Sequence, residues 1–153
     1  MRVALASDHA GFLLKQHLLS TVNALGHEAI DLGTSSEAPV DYPDFAEKLG
    51  IALRQGTADR GVLLCGSGVG ASVAANKMPG IRAAVCHDGY SAHQGVEHDD
   101  MNILVLGARI IGSALADDLV KTFLGAKFTH EERHERRLGK VFSIERRWSK
   151  EQP

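Results

Sequence analysis

The sequence predicts an α/β fold, a parallel sheet covered by helices on both faces, and three observations carry that prediction. Five short apolar runs, at residues 2–7, 28–32, 62–65, 81–86 and 102–106, alternate with stretches of helical spacing, the order of strands joined by right-handed crossovers. The run at 62–65 is continuous rather than alternating, as in a strand buried on both faces. It is followed at once by Gly66-Ser67-Gly68-Val69-Gly70 and then by small, helix-compatible residues, so a strand feeds a helix through a glycine-rich turn.

Taken in order, residues 2–7 form the first strand and end in Asp8-His9-Ala10-Gly11. Leu13, Leu14, Leu18 and Leu25 recur at helical spacing, and Gly26 is placed to end that helix. After the second strand, the loop 33–41 leads to Tyr42-Pro43, which opens a helix with Phe45, Leu49, Ile51, Ala52 and Leu53 as its apolar face. The third strand and the helix 71–77 close at Pro79-Gly80. The fourth strand precedes a helix over 87–97, and the fifth leads through 107–112 into a helix over 113–124. A last helix, about 130–147, carries Leu138, Val141, Phe142 and Ile144 as an apolar stripe with no strand after it. Such a stripe packs on the domain's own edge or docks on a second subunit.

The 153 residues suit one domain spanning 1–153. Hydrophobic residues make up 44%, charged residues 24%, and the net charge is -2, which excludes a disordered chain and gives no mark of a nucleic-acid or membrane-surface binder. Cys65 and Cys86 end apolar runs in an α/β pattern, which reads as reduced thiols in a cytoplasmic protein. The chain starts on a strand without signal-peptide features, and no apolar run approaches the ~20 residues of a membrane helix.

The chemistry gathers at the third strand. A lone cysteine is usually a small hydrophobe, but a thiol that precedes a glycine turn at a helix N-terminus sits in positive potential, which favours general-base or nucleophilic use of Cys65. Cys86 has no such turn and is structural. The glycines match a dinucleotide fingerprint only weakly, since its last glycine falls one position later than Gly70 although Asp88 lies near the acidic position, and the P-loop reading fails, since Ala71-Ser72 follows Gly70 where Lys and Ser or Thr are required. Asp8-His9 reads as a cap beside a solvated imidazole, or as a neighbour of Cys65 if the first and third strands are adjacent. His98-Asp99-Asp100 lacks partners at ligand spacing, so acid-base work by His98 is the better reading than metal binding. His17, His27, His87, His93 and His130 have no supporting pattern and are surface or packing residues. Arg109, Arg133, Arg136 and Arg137 are either a solvated face or a guanidinium cluster for a phosphate dianion.

Residues 6–11 (ASDHAG), 41–43 (DYP), 64–70 (LCGSGVG), 74–77 (AANK), 80–84 (GIRAA) and 133–137 (RHERR) together resemble type B ribose-5-phosphate isomerases, a family that includes galactose- and allose-6-phosphate isomerases. The resemblance runs to about Ile144 in the same order. It implies a three-layer, Rossmann-like sandwich with strand order 2-1-3-5-4. It also implies a homodimer or homotetramer whose active site lies between subunits, with the last helix docking on the partner.

By that resemblance the substrate is a phosphorylated sugar, no metal or other cofactor is used, and Cys65 moves a proton between C2 and C1 through a cis-enediolate. Ser67 and the N–H groups of Gly66, Gly68, Val69 and Gly70 would stabilise the enediolate oxygen, each donor contributing roughly 3 kcal/mol. His98 would open the furanose ring and Asp8 would orient sugar hydroxyls. Tyr42 would contact the sugar, and His9, Arg109, Arg133 and Arg137 would hold the phosphate. Asp99 stands where the family commonly has Asn, a substrate ligand; a carboxylate cannot donate hydrogen bonds, which bears on which sugar fits. Glu131-Glu132 replaces the family's usual glycine pair. The expected reaction is interconversion of D-ribose 5-phosphate and D-ribulose 5-phosphate. The alternatives are a six-carbon sugar 6-phosphate as substrate, or a non-catalytic sugar-phosphate or nucleotide binding module.

Overall fold

The computed structural model describes residues 1–149. Five strands, β1 (Arg2–Ser7), β2 (Glu28–Asp31), β3 (Arg60–Cys65), β4 (Ala83–Val85) and β5 (Ile103–Gly107), form one parallel sheet in the order β2-β1-β3-β5-β4. The expected strand order and α/β architecture are therefore observed. β1, β3 and β5 are the central strands and are buried almost throughout, as their continuous apolar runs require.

Alternate side chains feed two cores. Val3, Leu5, Val62, Leu64, Leu104 and Leu106 meet Leu18 and Val22 of α1 (Phe12–Ala24), Val96 of α4 (Gly89–Asp99) and Leu119 and Phe123 of α5 (Ser113–Gly125). Ala4, Ala6, Leu63, Cys65, Ile103 and Val105 meet Phe45 and Leu49 of α2 (Tyr42–Arg54) and Ala71 and Ala75 of α3 (Val69–Ala75). The result is three layers, helix on sheet on helix.

Local chemistry sets the element ends. β4 is shorter than the run 81–86 because its start is paired by side chains: the Arg82 N–H donates to Asn102 Oδ1, and Asn76 brackets Ala83, accepting from its N–H at 2.9 Å and donating to its carbonyl at 2.7 Å. A side-chain amide thus occupies the hydrogen-bonding edge of this outer strand. α4 starts two residues later than the spacing predicts, because Asp88 caps it by accepting from the Ser91 N–H. α6 (Glu132–Trp148) starts after His130, whose φ is +55°.

Two apolar positions expected to face the core do not. Leu13 is 64% exposed and Ile51 is 40% exposed; Lys15 takes an inward position on α1, its ammonium paired with Asp31, and Ala46 and Gly50 join the inner face of α2. Along α6, His134 and Leu138 are buried, while Val141, Ile144 and Trp148 remain exposed. No helix among the described residues is long and apolar enough to cross a membrane.

Candidate active site

Parallel pairing of β1 with β3 and of β3 with β5 puts three strand ends together: Ser7 opposite Leu64, and Cys65 opposite Gly107. The loops beyond them form a cleft of about 380 Å³ lined by Asp8, Tyr42, Cys65, Gly66, Ser67, Gly70, Arg109 and Ile110. It lies at the carboxyl ends of the strands, where open parallel sheets hold ligands.

Cys65 is 5% exposed, and its Sγ accepts the Gly68 N–H at 3.1 Å. Gly68 adopts φ +84°, a left-handed conformation that side-chain-bearing residues rarely take, and a Cβ there would press to 3.3 Å on the backbone of Leu106 and Gly107. Ser67 Oγ accepts from the Val69 N–H at 3.3 Å. Of the N–H groups expected to face an enediolate oxygen, those of Gly68 and Val69 are thus engaged within the turn.

The turn is anchored to β5 and its loop. Ala108 N–H donates to the Cys65 carbonyl at 2.9 Å and Arg109 N–H to the Gly66 carbonyl at 3.0 Å. A Cβ on Gly107 would lie 2.6 Å from the Ser67 carbonyl oxygen, so the close approach requires glycine. The Arg109 side chain runs along Gly66, and Tyr42 packs on Gly70, where a Cβ would meet its ring at 2.8 Å.

Asp8 unites both readings of its motif. Its Oδ1 caps a 3₁₀ turn, His9–Gly11, accepting from the Ala10 and Gly11 N–H groups at 3.0 and 3.1 Å, while its carboxylate lines the cleft. His9 does not line it: its Nδ1 accepts from the Val40 N–H at 3.2 Å, tying the turn to loop 33–41.

His98, Asp99, Arg133 and Arg137 also lie outside the lining of this cleft. His98 stacks on His134, with ring centroids 4.0 Å apart. Asp99 lines a separate groove of about 870 Å³ beneath α6, and Arg133 pairs with Glu131 at 3.0 Å. One chain therefore assembles the thiol side of the expected site and holds the imidazole and arginine side elsewhere. No cluster of three or more His, Cys, Asp or Glu placed to hold a metal occurs among the described residues.

Cys86, behind β4, is buried, and burial first and the Asp88 carboxylate second push its thiol up to about 11, so it stays a thiol near neutrality. Of the histidines outside the expected site, His87, read as a surface or packing residue, does pack, and His134 had no role assigned from the sequence. His87 Nε2 accepts the Gly107 N–H at 2.9 Å, holding the loop on which the thiol turn rests. His134 is buried beside His98; its place one helical turn before Leu138, on the same stripe, was the signal available.

The family model described as Ribose/Galactose Isomerase matches residues 3–141. Ribose-5-phosphate isomerase B of Escherichia coli is 42% identical over 146 residues, 95% of this chain and 97% of that protein. A structure of ribose-5-phosphate isomerase B from Clostridium thermocellum superposes with a TM-score of 0.94 at 47% identity, covering 97% of this chain and 99% of the other. One from Thermotoga maritima gives 0.89 at 46% identity, over 93% and 97%. A family match that spans both the glycine turn at Cys65 and the start of α6, on the same fold throughout, means that the chain belongs to the ribose/galactose isomerase family.

Proposed function

We propose that this chain is an aldose-ketose isomerase that interconverts D-ribose 5-phosphate and D-ribulose 5-phosphate. The observation that carries the reading is the placement of the Cys65 thiol, under the Gly68 N–H, in one cleft with the Asp8 carboxylate and the Arg109 guanidinium. The relatives named ribose-5-phosphate isomerase B at 42–47% identity support the choice of sugar.

In this reading the thiolate removes the C2 proton of the open-chain aldose. The C1 carbonyl oxygen takes up the charge, giving the cis-enediolate; the hydroxyl proton of O2 passes to O1, and the same sulfur returns the carbon-bound proton to C1 as C2–O⁻ becomes C2=O. Ser67 and the N–H groups of Gly66 and Gly70 stabilise the enediolate oxygen, Asp8 orients hydroxyls, and Tyr42 closes one wall. Arg109 holds the phosphate from the same chain. His98, Arg133 and Arg137, with His9, complete acid-base catalysis and phosphate binding when a second copy brings its α4–α6 edge to this cleft. The site is then shared between subunits of a homodimer, or of a tetramer of such pairs, and the exposed stripe of α6 is covered.

Asp99 favours a second reading, a six-carbon sugar 6-phosphate, because its carboxylate accepts hydrogen bonds where an amide would also donate. Turnover measured in EDTA on ribose 5-phosphate beside allose 6-phosphate and galactose 6-phosphate separates the two. Preference for ribose 5-phosphate is expected. Activity confined to a hexose phosphate would establish the second reading, and inactivity on every sugar would leave a binding module.

A further inference from the structure

The stacked imidazoles of His98 and His134 join two elements, the last turn of α4 and the first of α6, with 28° between their planes. Both nitrogens of the buried His134 are engaged. Arg133 Nε donates to Nε2 at 3.2 Å, and Nδ1 lies 2.7 Å from Thr129 Oγ1, which donates to the Glu97 carbonyl at 3.1 Å. A guanidinium only donates, so Nε2 is the bare nitrogen and the proton sits on Nδ1, donated to the hydroxyl. His134 therefore has one tautomer, fixed from both sides, and no spare nitrogen for a ligand.

His98 is different. Gln94 Nε2 donates to its Nδ1 at 2.7 Å, which leaves Nε2 to exchange a proton. Burial, then the His98 ring, then Arg133 hold His134 below the ordinary imidazole range, with Arg137 acting in the same sense and Glu131 against it. From α4, Gln94 meets His98 without adding charge, and the Glu97 carbonyl anchors Thr129. His134 accordingly serves as a fixed, neutral platform for the His98 ring.

We propose that His134 is the positioning residue of His98: pinned by Thr129 and Arg133, it holds the His98 ring in the orientation that opening of the sugar ring requires. The proposal rests on the isomerase reading above and on His98 acting in that step. Opening a furanose moves one proton from the C1 hydroxyl to the ring oxygen O4 as the C1–O4 bond breaks and C1=O forms, so His98 ends as it began. A ketopentose 5-phosphate cannot close such a ring, because its C5 oxygen carries the phosphate. It enters at the open-chain stage, where Cys65 works without His98.

That difference supplies the test. His134→Phe keeps a stacked ring and loses both hydrogen bonds; Thr129→Val removes only the hydroxyl and covers the case in which the first variant does not fold. Each is assayed for turnover of ribose 5-phosphate and, by NMR in D₂O, for deuterium exchange at C1 of ribulose 5-phosphate. In His134→Phe we expect turnover to fall roughly 10²-fold while exchange stays within about threefold of wild type. Thr129→Val is expected to show the same selectivity with a smaller loss. Equal losses in both assays, or no loss in either, would overturn the proposal. A wild-type chain inert in both assays would overturn the isomerase reading beneath it, which the variants are not needed to see.

Discussion

The Gly68 N–H donates to Cys65 Sγ across 3.1 Å, from a residue held at φ +84° against the Leu106–Gly107 backbone. A donor so placed would stabilise negative charge developing on the sulfur, and only glycine takes this conformation without strain.

Gly68→Ala tests that relationship. A non-glycine residue in left-handed conformation costs roughly 1–2 kcal/mol, and a turn that relaxes to relieve it carries the N–H away from the sulfur; a donor misplaced from developing charge lowers kcat about 10²-fold. The expected result is a lower kcat with KM little changed and a modest fall in the thermal midpoint. An unchanged kcat would show that the amide does not serve the sulfur.

Much of this arrangement was legible in the sequence, because strands buried on both faces and glycine turns leave local marks. The strand at 2–7, the α/β class and the thiol turn follow from residue types alone, whereas the strand order came from the family resemblance. Long-range pairings were not legible. Lys15 sits on an apparently solvated helical position, yet it is buried because Asp31, on the neighbouring strand, meets it. The short β4 depends on Asn76 reaching Ala83, and the His98–His134 stack depends on α6 folding back onto α4. No periodicity encodes such meetings.

The pairing of buried Lys15 with the solvent-open Asp31 predicts an acid-sensitive fold. Burial pushes the Asp31 carboxyl up, but hydrogen bonds from Lys15 and the Gly33 N–H more than offset this and hold it below the usual carboxylate range. A carboxyl depressed in the folded state gives stability that is present above its unfolded value, about 3.9, and lost as pH falls through the folded one. Asp31→Asn leaves a buried ammonium unpaired; a cost of roughly 2–3 kcal/mol is expected, below that of an enclosed pair because Asp31 is solvent-open. Urea unfolding from pH 7 to pH 3 should show wild type losing stability below about pH 4 and the variant starting lower with a flatter profile. Parallel profiles would refute the linkage.

Cys86 should be chemically silent. With its thiol pushed up to about 11 by burial and by Asp88, it should resist iodoacetamide at pH 7.5 until the protein unfolds. Cys86→Ala should keep turnover within about twofold and lose roughly 1–2 kcal/mol of stability. Mass spectrometry of the labelled native protein checks the first expectation and steady-state assay the second.

A shared site predicts rescue between dead variants. Cys65→Ala and His98→Asn should each be inactive toward ribose 5-phosphate alone. When mixed and allowed to exchange subunits, half the dimers are hybrid and each hybrid carries one intact site, so about a quarter of wild-type activity should return. No recovery after demonstrated exchange would place both residues' work within one chain.

Whether Cys65 carries the proton between C2 and C1 is decided by Cys65→Ala assayed together for turnover and for binding of ribose 5-phosphate. Turnover at least about 10³-fold below wild type is expected, with phosphate-dependent binding retained. Turnover close to wild type in the variant would contradict it and require another base in the cleft.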